Sequence, residues 1–200
     1  MAGGAMNRMF FAPALALVAA PLAGCGGAAD QPPLAGARIG GPFALTDQNG
    51  RTVRDTDFAG RYRIVYFGYT YCPDVCPTDM QKIGQAMREL DRTDAKVAQK
   101  VVPIFITVDP ERDTPAAIKQ FVANFHPRIV GLTGTPEQIA KVAKDYAVYF
   151  KKQPAGAGGG YLVDHLAVAF LMGPQGEPIA SLPIDKDGAA IAEQVRHWVR

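Results

Sequence analysis

The hydrophobic pattern alternates between strand and helix periods along most of the chain. Arg63 to Gly68 is a continuous apolar run, the mark of a strand buried on both faces. From about Pro77 to Asp91, Met80, Ile83, Met87 and Leu90 recur at helical spacing. Val101 to Val108 is the next strand. Thr114-Pro115 then opens a helix with Thr as N-cap and Pro in the first turn, burying Ile118, Phe121, Val122 and Phe125. Ile129 to Leu132 reads as a short strand. Thr135-Pro136-Glu137-Gln138 is a capping-box start, with Ile139, Val142 and Tyr146 on one face. Ala147 to Phe150 is read as a short strand. Leu166 to Met172 and Ile179 to Leu182 are strands around a Gly173-Pro174-Gln175-Gly176 turn, and Ile191, Val195 and Trp198 mark a closing amphipathic helix. Strands alternating with helices, then a hairpin and a last helix, predict a mixed α/β sandwich.

The N-terminal part follows different rules. Phe10 to Leu22 is an apolar run after Arg8, of signal-peptide length and short for a membrane span. It ends in Leu22-Ala23-Gly24-Cys25, a cleavage box of bacterial lipoprotein type, which makes Cys25 the expected lipid attachment site. An uncleaved anchor is the alternative, and both place the domain outside the cytoplasm at a membrane surface. Residues 1–24 are thus expected to be a signal peptide. Residues 25–41, rich in Gly, Ala and Pro, read as a flexible tether. The domain is expected over 42–200. It starts with a hairpin in which Phe43 to Thr46 and Arg51 to Val53 flank Asp47-Gln48-Asn49-Gly50.

Composition narrows the class. At 200 residues, with 48% hydrophobic and 20% charged residues, the chain holds one sizeable globular domain plus its leader. The net charge of +2 comes without a basic stripe, so nucleic-acid binding gains no support. Removing the leader with Arg8 lowers the charge to +1. Three cysteines are an odd count for an exported protein. A lipidated Cys25 leaves one pair, Cys72 and Cys76, able to close into a disulfide in an oxidising compartment.

That pair falls where a buried strand hands over to a helix. Free N–H groups and the dipole at a helix N-terminus favour thiolate, so both cysteine pKa values are expected to fall. If the first turn is helical, positions i and i+4 share a face and both sulfurs point at one ion. On residues alone the pair reads as a soft metal site, a redox pair or a structural disulfide. His165, after Asp164 and a Gly-rich loop at 156–160, reads on its own as a packed or exposed residue ahead of a ligating one. His126 is expected at a helix C-terminus, where a cation suits the dipole, and His197 in solvent. Asp109 to Pro115 ends a strand and caps a helix. The Gly-rich loop precedes no helix and no Gly-Lys-Ser/Thr occurs, which excludes a phosphate loop.

Gly68-Tyr69-Thr70-Tyr71-Cys72-Pro73-Asp74-Val75-Cys76-Pro77 resembles the signature of the Sco/SenC copper proteins. Val108-Asp109-Pro110-Glu111-Arg112-Asp113-Thr114-Pro115 is similar to their second motif. Tyr161-Leu162-Val163-Asp164-His165, with Phe170-Leu171 and Pro174-Gln175-Gly176, is similar to their third. The resemblance runs from about Phe43 to Trp198. It implies a thioredoxin-like fold with an N-terminal hairpin extension, and copper held by Cys72, Cys76 and His165 with Asp164 beside these ligands. It also implies service in assembling the dinuclear copper centre of cytochrome c oxidase. Two departures stand out: Tyr71 where the family often has His, and Leu166 where a small hydroxyl residue is often seen. Thiolates suit Cu(I) and imidazole suits copper in either state, while Zn(II) takes the same ligands with lower affinity.

The expected function is therefore a membrane-anchored copper chaperone in a bacterial envelope, facing the periplasm. Its expected partners are the copper-bearing oxidase subunit and another periplasmic copper chaperone or thiol reductant. Loading would be gated by the redox state of Cys72 and Cys76. The alternative is a thiol–disulfide reductase that keeps the subunit's copper-ligand cysteines reduced. A peroxiredoxin-like peroxidase usually carries a Thr three positions before its thiol, an arrangement that Val75-Cys76 does not offer, and a redox-sensing regulator is a further use of the same pair.

Overall fold

In the computed structural model, residues 1–4, 30–155 and 160–200 are described. The chain divides into two units, Met1–Asp30 and Gln31–Arg200, and every secondary-structure element described belongs to the second. Most of the expected leader, Cys25 and most of the Gly-rich loop lie outside the described residues. No described helix is long and apolar enough to cross a membrane.

Two parallel strands form the centre, β3 (Tyr62–Gly68) and β4 (Val101–Thr107), paired over their whole length. Apart from half-buried Tyr62, every residue of both strands is buried, so the sheet is covered on both faces as the apolar run requires. Alternation assigns the two faces. The hydroxyl of Tyr66 reaches Asp79 on α1 (Val75–Thr93), while the ring of Phe67 packs 5.3 Å from that of Tyr146. Outward from β4 lies parallel β5 (Val130–Thr133), then antiparallel β1 (Ala44–Asp47) and β2 (Thr52–Arg54). On the other side, β8 (Ala169–Met172) and β9 (Pro178–Leu182) add an antiparallel hairpin. The order is β2-β1-β5-β4-β3-β8-β9.

Helices begin where local chemistry starts them. Thr114 caps α3 (Pro115–Ala123), and Thr135 caps α4 (Pro136–Asp145) in a full capping box with Gln138. The last helix, α5 (Gly188–Trp198), buries Ile191, Val195 and Trp198 and packs on α1. Sequence reading missed the short α2 (Ala95–Lys100), whose six residues carry too little periodicity to register.

Three boundaries need correction. The compact unit starts at Gln31, not Pro42. Leu34 N–H donates to Ile179 at 2.9 Å, Gly40 N–H donates to Asp145 at 2.8 Å, and Leu34 and Ile39 pack on the core. The strand expected at Ala147–Phe150 is β6 (Phe150–Lys152), because Ala147 takes a left-handed φ of 54° that closes α4. The strand expected from Leu166 starts only at Ala169. Val163–His165 is instead a strand of its own, β7, which pairs with β6 in a separate two-stranded sheet.

Candidate metal centre

The cysteine loop hangs from the end of β3. Val108 N–H donates to Gly68 at 2.8 Å, holding the strand end against the β4 exit. Farther along the loop, Asp113 accepts from Thr70 N–H (2.9 Å), Thr70 Oγ1 (2.6 Å) and Thr107 Oγ1 (2.6 Å). These ties fix where the chain turns into α1. Cys76 is the second residue of that helix and Cys72 lies outside it, so the expected shared helix face does not form. The sulfurs converge by another route. Cys72 Sγ accepts Cys76 N–H at 3.5 Å, at a helix start where Asp74 makes no side-chain cap. Gly68 makes room for this, because a Cβ there would lie 3.0 Å from Cys76 Sγ and 2.9 Å from the Tyr66 ring. Both thiols are free and buried.

The expected lowering of both cysteine pKa values is overturned for Cys76. Burial pushes its thiol well above the ordinary range, and this outweighs the helix terminus. A positive ion entering the site reverses that balance, since a coordinated thiol is deprotonated outright.

His165 arrives from β7. Its Nε2 lies 3.2 Å from Cys76 Sγ and its Nδ1 3.3 Å from the Leu166 carbonyl. With Nδ1 protonated toward that carbonyl, Nε2 presents its lone pair to the sulfurs. The rings of Tyr66 and Tyr69 flank the imidazole edge-on at 6.4 and 5.9 Å. Burial lowers the imidazole pKa, against the opposing pull of the Leu166 carbonyl and the charges of Asp79 and Asp164, so the ring is neutral near pH 7. Asp164, expected beside the ligands, is instead exposed. Strand alternation turns it to the opposite face of β7, where its carboxylate accepts from Gln153. Its link to His165 is charge alone. His126 lies elsewhere, buried with Nε2 3.0 Å from Asp91, and burial pushes its pKa down, unlike the cation expected.

Sequence reading missed the residues that join the three motifs. Tyr66 donates to buried Asp79 at 3.0 Å beneath Cys76. Tyr69 Oη accepts Val163 N–H at 3.3 Å, linking the cysteine loop to β7. Asp113 is fully buried, and Arg112 reaches from the second motif to the third. The one sequence signal was the acid-rich run Asp109–Asp113 at a strand end, which also satisfies a capping reading.

The ligand atoms of Cys72, Cys76 and His165 all lie within 4.8 Å of one another, and they form the one such cluster among the described residues. Three donors around a shared ion at S and N bond lengths of about 2.3 and 2.0 Å sit roughly 3.5–4 Å apart. Small side-chain adjustments therefore close the site. Two buried sulfurs and one half-buried neutral imidazole suit a soft ion of low coordination number.

Comparison with known proteins extends this geometry. Residues 31–200 match the SCO1/SenC family. The chain is 40% identical over 162 residues to the human mitochondrial SCO1 homologue, covering 81% of this chain and 53% of that protein. It spans about half the length of the curated relatives it matches. Copper-bound ScoI of Bradyrhizobium japonicum superposes with a TM-score of 0.73 at 43% identity, over 80% of this chain and 99% of that one. BsSco, described as a member of the Sco family of cytochrome c oxidase assembly proteins in which a disulfide switch was identified, shares the fold. Its TM-score is 0.64 at 23% identity, over 80% of this chain and 94% of that one. The fold is thioredoxin-like, as these neighbours are. With the family matched across the whole compact unit and Cys72, Cys76 and His165 gathered at one point, this chain belongs to the SCO1/SenC family.

Proposed function

We propose that this protein is a membrane-tethered copper chaperone that delivers copper to the dinuclear copper centre of cytochrome c oxidase during its assembly. The observation that carries the reading is the convergence of Cys72 Sγ, Cys76 Sγ and His165 Nε2. Copper is the cargo, taken by two thiolates and a neutral imidazole. Loading follows redox state, because joining the two sulfurs removes two electrons and two protons from the pair and consumes both sulfur donors. The relatives support the metal and the destination, since one is a copper-bound Sco protein and another belongs to a family of oxidase assembly proteins. The anchor in this reading is lipid on Cys25, holding the domain on the periplasmic side of a bacterial membrane. There it meets the copper-bearing oxidase subunit and a periplasmic copper donor or thiol reductant.

The reductase alternative uses the same two thiols. It has no use for His165, whose imidazole nitrogen nonetheless lies 3.2 Å from the Cys76 sulfur. Anaerobic titration of reduced protein with Cu(I) tests the proposal. One tightly held copper per chain is expected, falling sharply in Cys72→Ala, Cys76→Ala and His165→Ala. Unchanged copper affinity in His165→Ala would remove the third ligand, and disulfide reduction retained in that variant would then hand the site to the reductase.

A further inference from the structure

The three ligands come from two pieces of chain. Cys72 sits on the loop leaving β3 and Cys76 in the first turn of α1 that follows it, whereas His165 sits on the β6–β7 hairpin, outside the main sheet. That hairpin meets the domain through buried Val163, half-buried Phe150 and the Val163 N–H to Tyr69 bond. A cavity of about 260 Å³ lies beside it, lined by Val108, Ile139, Phe150 and Val163 among others. A two-stranded hairpin gains little stability from its own pairing. One further set of contacts joins it to the cysteine loop.

We infer that Arg112 is the positioning residue that does so, by clamping the cysteine loop and the histidine hairpin to each other. Its Nε donates to Asp109 at 2.5 Å and its Nη1 donates to the Tyr161 carbonyl at 2.9 Å, four residues before His165. The guanidinium carbon lies 3.7 Å from the centre of the Tyr161 ring, 4.9 Å from that of Tyr71 and 5.7 Å from that of Tyr69. One jaw is therefore Tyr161 on the hairpin side. The other is Tyr71, adjacent to Cys72. Tyr161 Oη closes the circuit by donating to Asp109 at 2.8 Å. Arg112 Nη2 is buried without a conventional hydrogen-bond partner. Stacking against the Tyr161 ring gives it a π face instead, the arrangement in which a planar cation is favoured over an ammonium. In this chain Tyr71 is thus assigned as a jaw of the clamp, which accounts for an exposed aromatic beside the site.

The inference rests on the copper reading for one of its two readouts and is independent of it for the other. In the metal-free reduced protein, Arg112→Ala should raise amide hydrogen exchange at Leu166 and Gln153, whose N–H groups hold the hairpin, while amides of β3 and β4 stay protected. Cu(I) affinity, measured against a competing chelator, should fall on the order of 10–100-fold, as for other groups that orient a ligand. In a His165→Ala background the same change should cost nothing further, because Arg112 acts through His165. Arg112→Lys keeps a cation on the rings without the fork and should recover part of the affinity. Tyr71→Ala, at a surface position that does not threaten folding, should weaken binding roughly 2–5-fold. Hairpin exchange that is unchanged in both Arg112→Ala and Tyr71→Ala overturns the clamp. So does an Arg112→Ala penalty that persists in full without His165. A wild-type protein that takes up no copper, yet shows the faster hairpin exchange in Arg112→Ala, leaves the clamp standing and removes the copper function.

Discussion

Cys72 Sγ accepts the backbone N–H of Cys76 at 3.5 Å, so the first cysteine stands where a capping side chain would stand at the start of α1. In the proposed copper-loaded form that same sulfur would turn from the helix to the metal.

Separating those two roles is straightforward. Cys72→Ser keeps an acceptor for the Cys76 N–H and should leave the metal-free stability nearly unchanged. Cys72→Ala removes the cap and should cost about 0.5–2 kcal/mol. Both should lose Cu(I) affinity to a similar extent, because neither offers a thiolate. Urea unfolding beside copper competition measures the two effects. A Ser variant that retains copper contradicts the ligand assignment.

The buried thiol of Cys76 makes an alkaline prediction. Its folded pKa lies above the unfolded value of about 8.5. The native state therefore keeps a proton that the unfolded chain releases, and stability falls as pH rises. The reduced, metal-free protein should be steady below about pH 8 and lose stability between roughly pH 8.5 and 10, before tyrosines titrate in the unfolded chain. Cys76→Ser should flatten that slope. A slope that survives the substitution assigns the alkaline loss to another group.

Asp113 ties the cysteine loop to the β4 exit through three accepted hydrogen bonds. Asp113→Ala leaves buried donors without partners and should destabilise the domain by about 2–3 kcal/mol. Equilibrium denaturation reads this directly, and a loss under about 0.5 kcal/mol would show that water replaces the carboxylate.

Ala147 holds a left-handed φ of 54° just past α4. That conformation costs a residue with a Cβ about 1–2 kcal/mol, against a flexibility penalty of about 0.5–1 kcal/mol for glycine. Ala147→Gly should therefore stabilise the domain slightly, by up to about 1 kcal/mol, seen as a small rise in Tm. A fall in Tm would mean that the methyl group contributes packing larger than the strain.

Lipid on Cys25 is tested in cells. Cys25→Ser should release the protein from membranes or block its processing, and mass spectrometry of the N-terminal peptide should find lipid only in the wild type. Unmodified wild-type peptide together with unchanged membrane attachment would exclude the lipoprotein reading.

What was legible in the sequence was what neighbouring residues decide among themselves. The buried strand at 63–68, the caps Thr114 and Thr135 and the Asn49-Gly50 hairpin turn all rest on contacts within a few positions. The identity of Cys72, Cys76 and His165 as candidates was equally local. Their meeting was not, because it depends on β6 pairing with β7 and on Arg112 crossing between motifs. Arg112 was hidden inside a run that capping already explained. Asp164 was misplaced because adjacency in sequence suggested adjacency at the site, whereas a strand sends neighbours to opposite faces. The packing of Leu34 and Ile39 escaped notice because isolated apolar residues among Gly, Ala and Pro carry no period.

The separation of the candidate ligands along the chain has a consequence for the newly made protein. Cys72 and Cys76 are four positions apart and meet as soon as one short loop closes, whereas His165 joins them across 89 residues. Contacts of such span form late, after the sheet that brings the two segments together. A partly folded chain therefore offers an incoming ion two sulfurs and no imidazole. On the proposed copper reading, the completed three-donor grip would mark a chain that has finished folding.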